Sequence, residues 1–142
     1  MDHHSDTGTF GNDQAAAFVQ RLIDLGRGRA GERLIQALRT VEEAGDSLDP
    51  VEANEGRVAV TLLLAEEDPS LLDGAAQEDR LRRYLRELDT ELTPARRTLA
   101  KAVVDRILLP VSNDWYDAWQ TDEARRAALA SVQRLADLLA DA

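Results

Sequence analysis

The chain has 142 residues, a formal net charge of −10 and no cysteine, which excludes a disulfide framework and a thiolate metal site. An acidic surface repels phosphate, so we expect neither nucleic acid nor an anionic membrane as a partner. No apolar run in the sequence approaches the roughly 18 residues of a membrane span, and the polar N-terminus lacks the apolar segment of a secretory signal. We therefore expect a single cytoplasmic domain over residues 1–142.

An irregular arm over residues 1–11 precedes the first predicted helix, for which Asn12 or Asp13 supplies the N-cap. Apolar residues at helical spacing continue this helix, and Gly26 is suited to the left-handed backbone that ends it. A second helix with its own apolar stripe is predicted to begin near Ala30.

The most apolar run, residues 57–65, predicts a central helix over about residues 51–66 that is buried nearly all round. Asp49 is its expected N-cap, and Pro50 suits its first turn. Gly56 costs on the order of 1 kcal/mol of helix propensity, so it indicates a close approach of another helix. We predict an all-α fold, a compact bundle of six or seven helices around this central helix.

The second half of the chain predicts further helices and no strand. Residues 69–75 are expected to link the central helix to a fourth helix over Ala75–Leu88. Thr93 and Pro94 have the order of a cap and a first helical residue, and they open a fifth helix. Ser112 is expected to cap a short aromatic segment, which a last amphipathic helix follows.

Residues Gly8–Ala15, which read Gly-Thr-Phe-Gly-Asn-Asp-Gln-Ala, and the following Phe18 resemble the N-terminal signature of the domain-of-unknown-function family 4259. The specific structural motif consists of Phe10, Asn12, Asp13 and Ala15. The C-terminal part is similar as well: an alanine-rich helix around Leu99–Leu108, Ser112 at the start of an aromatic segment, and a final helix that ends Leu-Ala-Asp-Leu-Leu. The resemblance implies a small bacterial all-α domain, and it implies no catalytic residue and no cofactor.

Gly26–Gly31 reads G-x-G-x-x-G, a pattern that binds a pyrophosphate only where it follows a strand and opens a helix. A helix precedes it here, so we interpret it as a turn between two helices. An anion site at the start of the second helix, formed by the arginines at positions 27, 29 and 33, is kept as an alternative. His3 and His4 have no third histidine and no cysteine to join them, and we predict no metal site.

Acidic residues are concentrated between positions 42 and 68, where nine of them accompany a single base, Arg57. Carboxylates at helix ends are usually solvated and complement helix dipoles, and no calcium-binding D-x-D-x-D-G loop occurs among them. This interpretation as solvated acids covers Glu42, Glu43, Glu52, Glu55, Glu66, Glu67 and Asp68. Such a surface keeps a protein in solution, and it also steers a basic partner.

Three aromatic residues, half of the chain's six, fall within five positions: Trp115, Tyr116 and Trp119. The two tryptophans share one helical face. They either close the core, because a tryptophan buries a large area, or form an exposed patch that binds a protein. These three are the candidate partner-binding residues.

The sequence contains no catalytic histidine and no activated nucleophile, so we predict no catalytic or cofactor-binding residue and no cofactor. We expect a bacterial, non-catalytic protein-interaction module whose acidic surface covers a basic protein. The alternative is a small-ligand binder or an enzyme with a pocket beside the central helix. Self-association into a homo-oligomer is left open.

Overall fold

A computed structural model of the chain describes residues 13–73, 75, 78–87 and 92–140. Apart from one isolated bridge, all regular secondary structure in this part of the chain is helical, and the all-α prediction is confirmed. The helices are α1 Asp13–Leu25, α2 Arg27–Glu42, α3 Pro50–Leu64, α4 Glu78–Glu87, α5 Pro94–Leu108, α6 Asp114–Asp117 and α7 Asp122–Ala140. A 3-10 turn over Pro69–Leu72 lies between α3 and α4. The predicted arm 1–11, with Phe10, and the cap candidate Asn12 lie outside the described residues.

Helix α3 is the centre of the bundle, as predicted. Every residue from Ala53 to Ala65 is buried, because α3 packs against α1, α2, α5, α6 and α7. A helix buried on all sides needs an apolar surface all round, which the run from Val58 to Ala65 supplies.

Gly56 is the point at which two neighbours approach α3 most closely. A Cβ atom at this position would lie 2.7 Å from Cγ2 of Val41 on α2 and 3.4 Å from Cγ1 of Val103 on α5. The missing side chain therefore lets both helices pack against the α3 backbone, which confirms the predicted close approach.

Two of the predicted helix starts are confirmed at their caps. Asp49 accepts a hydrogen bond of 2.7 Å from the amide of Val51, and Thr93 accepts one of 3.2 Å from the amide of Arg96. A proline follows each cap at the first helical position, where its missing N–H costs nothing.

Other predicted boundaries were wrong. Helix α2 begins at Arg27 rather than near Ala30, because Gly26 has a φ of 82° and turns the chain within a single residue. The predicted linker 69–75 contains a 3-10 turn, and α4 begins at Glu78, where acidic side chains favour a helix N-terminus.

The predicted cap Ser112 does not cap α6. Ser112 has a φ of 52°, a left-handed conformation, and the next residue is the N-cap: the side chain of Asn113 accepts a hydrogen bond of 2.9 Å from the amide of Tyr116. An N-cap needs an extended backbone, which Asn113 has and Ser112 lacks.

Candidate functional site

Helix α3 carries a cluster of buried polar side chains, which was not predicted from the sequence. Asn54 lies at its centre: its Oδ1 accepts hydrogen bonds from the indole N–H of Trp115, at 3.1 Å, and from Nη1 of Arg57, at 3.4 Å. Its Nδ2 donates to Oε1 of Gln14 on α1. One amide on α3 therefore joins α1 and α6 to the central helix.

Arg57 is 0% exposed, and its guanidinium lies 5.3 Å from the centroid of the Trp115 ring. Its Nη2 also donates to Oγ of Ser131 on α7, at 3.5 Å. Burial lowers the pKa of Arg57 from its ordinary value to about 10, so the side chain stays charged at neutral pH. A buried cation stacked on an indole ring is stabilised by the ring electrons, which suits a structural role in the core.

Glu55 was predicted to be solvated, and this was wrong. The residue is buried where α1 and α2 face α3, and Oε1 accepts a hydrogen bond of 2.7 Å from Arg33. Its Oε2 accepts a longer one, 3.3 Å, from Arg21. Arg33 in turn lies 5.0 Å from the centroid of the Phe18 ring. Ion pairing holds Glu55 among these helices, and Arg33, one of the arginines considered for an anion site, binds this carboxylate.

The aromatic segment lies at the edge of the core. Trp115 is 2% exposed and belongs to the core, while Tyr116 and Trp119 are half-buried against it. The two indole rings meet edge to face, with centroids 5.8 Å apart, and Arg125 lies 4.8 Å from the Tyr116 ring centroid. The structure thus brings all three aromatic residues together, and a contact of this segment with a partner stays a prediction.

Two loops at one end of the bundle are joined by backbone hydrogen bonds. The amide of Leu48 donates to the carbonyl of Ser112, at 2.9 Å, and the amide of Asp114 donates to the carbonyl of Leu48, at 3.0 Å. This bridge between Leu48 and Asn113 places the α2–α3 loop beside the α5–α6 loop. We call residues 42–52 and 105–117 together the acidic end.

The acidic end carries most of the net charge of the chain. Its two segments contain eight acidic residues and one basic residue, a net charge of −7 against −10 for the whole chain. Seven of the acids are exposed, and Glu52 is half-buried; the exposed ones are Glu42, Glu43, Asp46, Asp49, Asp105, Asp114 and Asp117. None of the ion pairs between described residues involves an acid of this end.

Arg106 is the one base of the acidic end, and it binds backbone rather than carboxylates. Its Nε donates to the carbonyl of Ala44, at 3.0 Å, and its Nη2 to the carbonyl of Ser112, at 2.8 Å. A single guanidinium therefore spans the two loops. The negative charge around it is left to face the solvent.

Asn113 holds the α5–α6 loop through hydrogen bonds of its buried side chain. It is 1% exposed, and its Nδ2 donates to the carbonyls of Ile107, at 2.8 Å, and Leu109, at 2.9 Å. With its oxygen it caps α6, as described above. One side chain thus satisfies two carbonyls at the end of α5 and one amide in the first turn of α6.

Two features of this loop were not predicted from the sequence: the role of Asn113 and the exposure of two apolar residues, Leu109 and Val111. A local signal existed for the first, since an asparagine three residues before Tyr116 has the spacing of an N-cap. For the apolar pair, the signal was Pro110, which ends α5 and takes both side chains out of its apolar stripe.

An open groove of about 620 Å³ runs along α2. It is lined by Gly28, Gly31, Glu32, Ile35, Gln36, Arg39 and Arg96, so none of its lining residues comes from α3. Two of these glycines belong to the G-x-G-x-x-G segment, of which only Gly26 lies between α1 and α2, while residues 27–31 are part of α2. The segment follows a helix and not a strand, as predicted, but the turn is a single residue. The anion site considered at the start of α2 stays a prediction.

No three histidine, aspartate or glutamate side chains of the described residues come close enough to hold a metal ion. His3 and His4 lie outside the described residues. Within the described ranges, every helix is either too short or too polar to cross a bilayer.

Comparison with known proteins gives one match. The model of the family described as "Domain of unknown function (DUF4259)" matches residues 5–131. No curated protein matches the chain. No solved structure matches it either. Because the family model covers most of the sequence, the chain belongs to the DUF4259 family.

Proposed function

We propose that this domain is a non-catalytic module that binds a basic protein, and that the acidic end is its contact surface. The observation that carries the proposal is the concentration of charge: two segments, joined by the Leu48–Asn113 bridge, hold a net charge of −7. Their carboxylates pair with no described cation of the domain itself. A basic partner would supply the missing countercharge.

Electrostatic complementarity acts mainly on the rate of association. A surface of one sign attracts an oppositely charged partner over roughly a Debye length, about 8 Å at physiological ionic strength. Such steering raises association rate constants and falls steeply with added salt. We therefore expect binding that is faster at low salt.

The buried polar residues support a non-catalytic role. Asn54, Glu55 and Arg57 make their described contacts with neighbouring helices, in the manner of a packed core. The strongest charges of the core are thereby engaged in joining α1, α2, α6 and α7 to α3. At the acidic end, seven carboxylates remain exposed, and carboxylates suit recognition of a cation.

The test compares two variants with equal change in net charge. The first, Glu42→Gln/Glu43→Gln/Asp46→Asn, removes three exposed acids from the acidic end. The control removes three exposed acids elsewhere; it is Glu32→Gln/Glu66→Gln/Glu123→Gln. Each immobilised protein captures partners from lysate of the native organism at low salt and at about 0.15 M salt.

We expect the wild-type domain and the control to retain the same basic protein, and the acidic-end variant to lose it. Mass spectrometry of the eluates identifies the retained proteins and gives their charge. Equal capture by all three proteins would contradict a role for the acidic end. Capture of no basic protein at either salt concentration would contradict the proposal as a whole.

The alternative function, a small-ligand site or an enzyme with a pocket beside the central helix, stays a prediction. The groove along α2 is open to solvent, and the residues that line it come from α2 and α5. It therefore gives no specific support to a pocket beside α3.

A further inference from the structure

The large apolar side chains that stay exposed in the described part of the chain are all close to one backbone bridge. They are Val51 at 42%, Leu109 at 48% and Val111 at 66% exposure. Each lies within four positions of Leu48 or Asn113, the two residues of the bridge. Val51 is the single exposed one on α3, and one such residue needs no explanation. Leu109 and Val111 lie two positions apart in the α5–α6 loop, and exposed apolar residues grouped in this way are typical of a binding surface.

Two of these residues, Leu109 and Val111, are presented by a fixed loop. The carbonyl of Leu109 accepts from Asn113, and the carbonyls of Val111 and Ser112 accept from Arg106, at 3.5 and 2.8 Å. The backbone on both sides of Val111 is therefore held by side chains from the same domain. A surface that is already ordered loses little conformational entropy when a partner binds, which favours affinity.

Acidic side chains surround this loop in the sequence and across the bridge. Asp105 precedes it and Asp114 follows it, and Asp46 lies on the adjoining α2–α3 loop; all three are exposed. An apolar centre with a charged rim is the usual arrangement of a protein interface. The sign of the rim decides which partner fits.

We infer that Leu109 and Val111 form an apolar anchor for a partner segment that carries a large apolar side chain between lysine or arginine residues. This inference rests on the proposed function, and it adds the position and the chemistry of the contact. The apolar side chain of the partner packs on the anchor, and its flanking cations face the carboxylates of the acidic end.

The two parts of the surface act on different rate constants. Long-range charge attraction raises the association rate and makes it salt-dependent, whereas the dissociation rate depends on the contacts that are buried in the complex. Loss of the anchor therefore raises the dissociation rate with little change in salt dependence. Loss of carboxylates lowers the association rate and weakens its salt dependence.

The experiment uses a displayed library of short random peptides selected on the immobilised full chain. Selected peptides are synthesised, and their association and dissociation rates are measured at low salt and at about 0.15 M salt. The variants are Leu109→Ser/Val111→Ser for the anchor and Glu42→Gln/Glu43→Gln/Asp46→Asn for the charge. Val51→Ser is the matched control, since it also removes an exposed apolar side chain.

We expect selected peptides to combine basic residues with at least one large apolar residue. The anchor variant should raise their dissociation rate about tenfold, as for loss of a central contact, while Val51→Ser changes it less than about twofold. Because the anchor side chains are exposed, circular dichroism should show unchanged helix content and thermal midpoint for this variant.

Two results would overturn the inference and separate it from the proposed function. In the first result, basic peptides bind through the acidic end but dissociate from the anchor variant as fast as from the wild type, or as fast as from Val51→Ser. The anchor is then wrong, and the proposed function stands. If selection yields no basic peptides, the proposed function fails and the anchor fails with it.

Discussion

Replacement of Asn113 by alanine should destabilise the protein by about 3 kcal/mol. The side chain is almost fully buried and makes three hydrogen bonds of 2.8 to 2.9 Å, two as a donor and one as an acceptor. Loss of an N-cap costs about 1 kcal/mol. The carbonyl of Ile107, left without its donor in a buried place, adds roughly 1–3 kcal/mol, whereas the carbonyl of the exposed Leu109 can turn to water.

The measurement is urea unfolding followed by circular dichroism and by tryptophan fluorescence. A loss of about 3 kcal/mol corresponds to a fall of about 10 °C in the thermal midpoint for a chain of this size. Trp115 lies two residues after Asn113, so its fluorescence also reports whether α6 loosens before the bundle unfolds.

The variant Asn113→Asp separates the contribution of the helix cap from that of the two donated hydrogen bonds. Aspartate caps a helix as well as asparagine does, so it keeps the hydrogen bond from the Tyr116 amide. It places a carboxylate oxygen against the carbonyls of Ile107 and Leu109, where the amide group donated before. We expect a destabilisation at least as large as that of the alanine variant. Stability within about 0.5 kcal/mol of wild type would refute the reasoning, because it would show that only the cap matters.

Three further predictions concern the core. Gly56→Ala should lower the free energy of unfolding in denaturant by about 1–2 kcal/mol, because its Cβ would meet Val41. This loss outweighs a gain of about 1 kcal/mol in helix propensity. The combined Gly56→Ala/Val41→Ala variant should show favourable coupling, since it removes the clash. Glu55→Gln should lower the free energy of unfolding by about 2 kcal/mol, because it leaves the arginine partners of this carboxylate without their countercharge. Arg21→Ala removes a half-exposed partner 3.3 Å away and should lower it by less than about 0.5 kcal/mol. Equal losses would contradict the assigned ion pairs. Burial lowers the pKa of Arg57 to about 10, below its pKa in the unfolded chain, so the folded state binds this proton less tightly and the cost of burial is relieved only above about pH 10. The difference in free energy of unfolding between wild type and Arg57→Met should therefore stay constant from about pH 6 to about pH 9, and a slope in that window would show that another group titrates with Arg57.

Local signals in the sequence predicted the elements that local interactions determine. The caps at Asp49 and Thr93 depend on hydrogen bonds between residues two or three positions apart, so both partners lie in the same short segment. The burial of α3 followed from its composition, because a run without a polar face must be covered on every side. These features need no knowledge of the remaining chain.

Contacts between distant residues could not be predicted in the same way. Glu55 is buried because Arg33 and Arg21, 22 and 34 positions away, face it from α2 and α1. From the sequence alone, a glutamate near the start of a helix has the features of a solvated one. The exposure of Val111 likewise depends on the path of a loop, which is set by Arg106 and by the bridge to Leu48.

A continuous series of hydrogen bonds connects the core to the proposed contact surface. Asn54 on α3 holds the indole of Trp115 in α6, and the cap of α6, Asn113, holds the end of α5. The central helix is thereby connected to the exposed loop, which Arg106 and the bridge to Leu48 also hold. The one base of this end, Arg106, binds backbone carbonyls and leaves the carboxylates without a described countercharge. Under the proposed function a basic partner supplies this countercharge and binds the folded domain, so we expect it to raise the thermal midpoint. An unchanged midpoint in the presence of the partner would contradict the proposal.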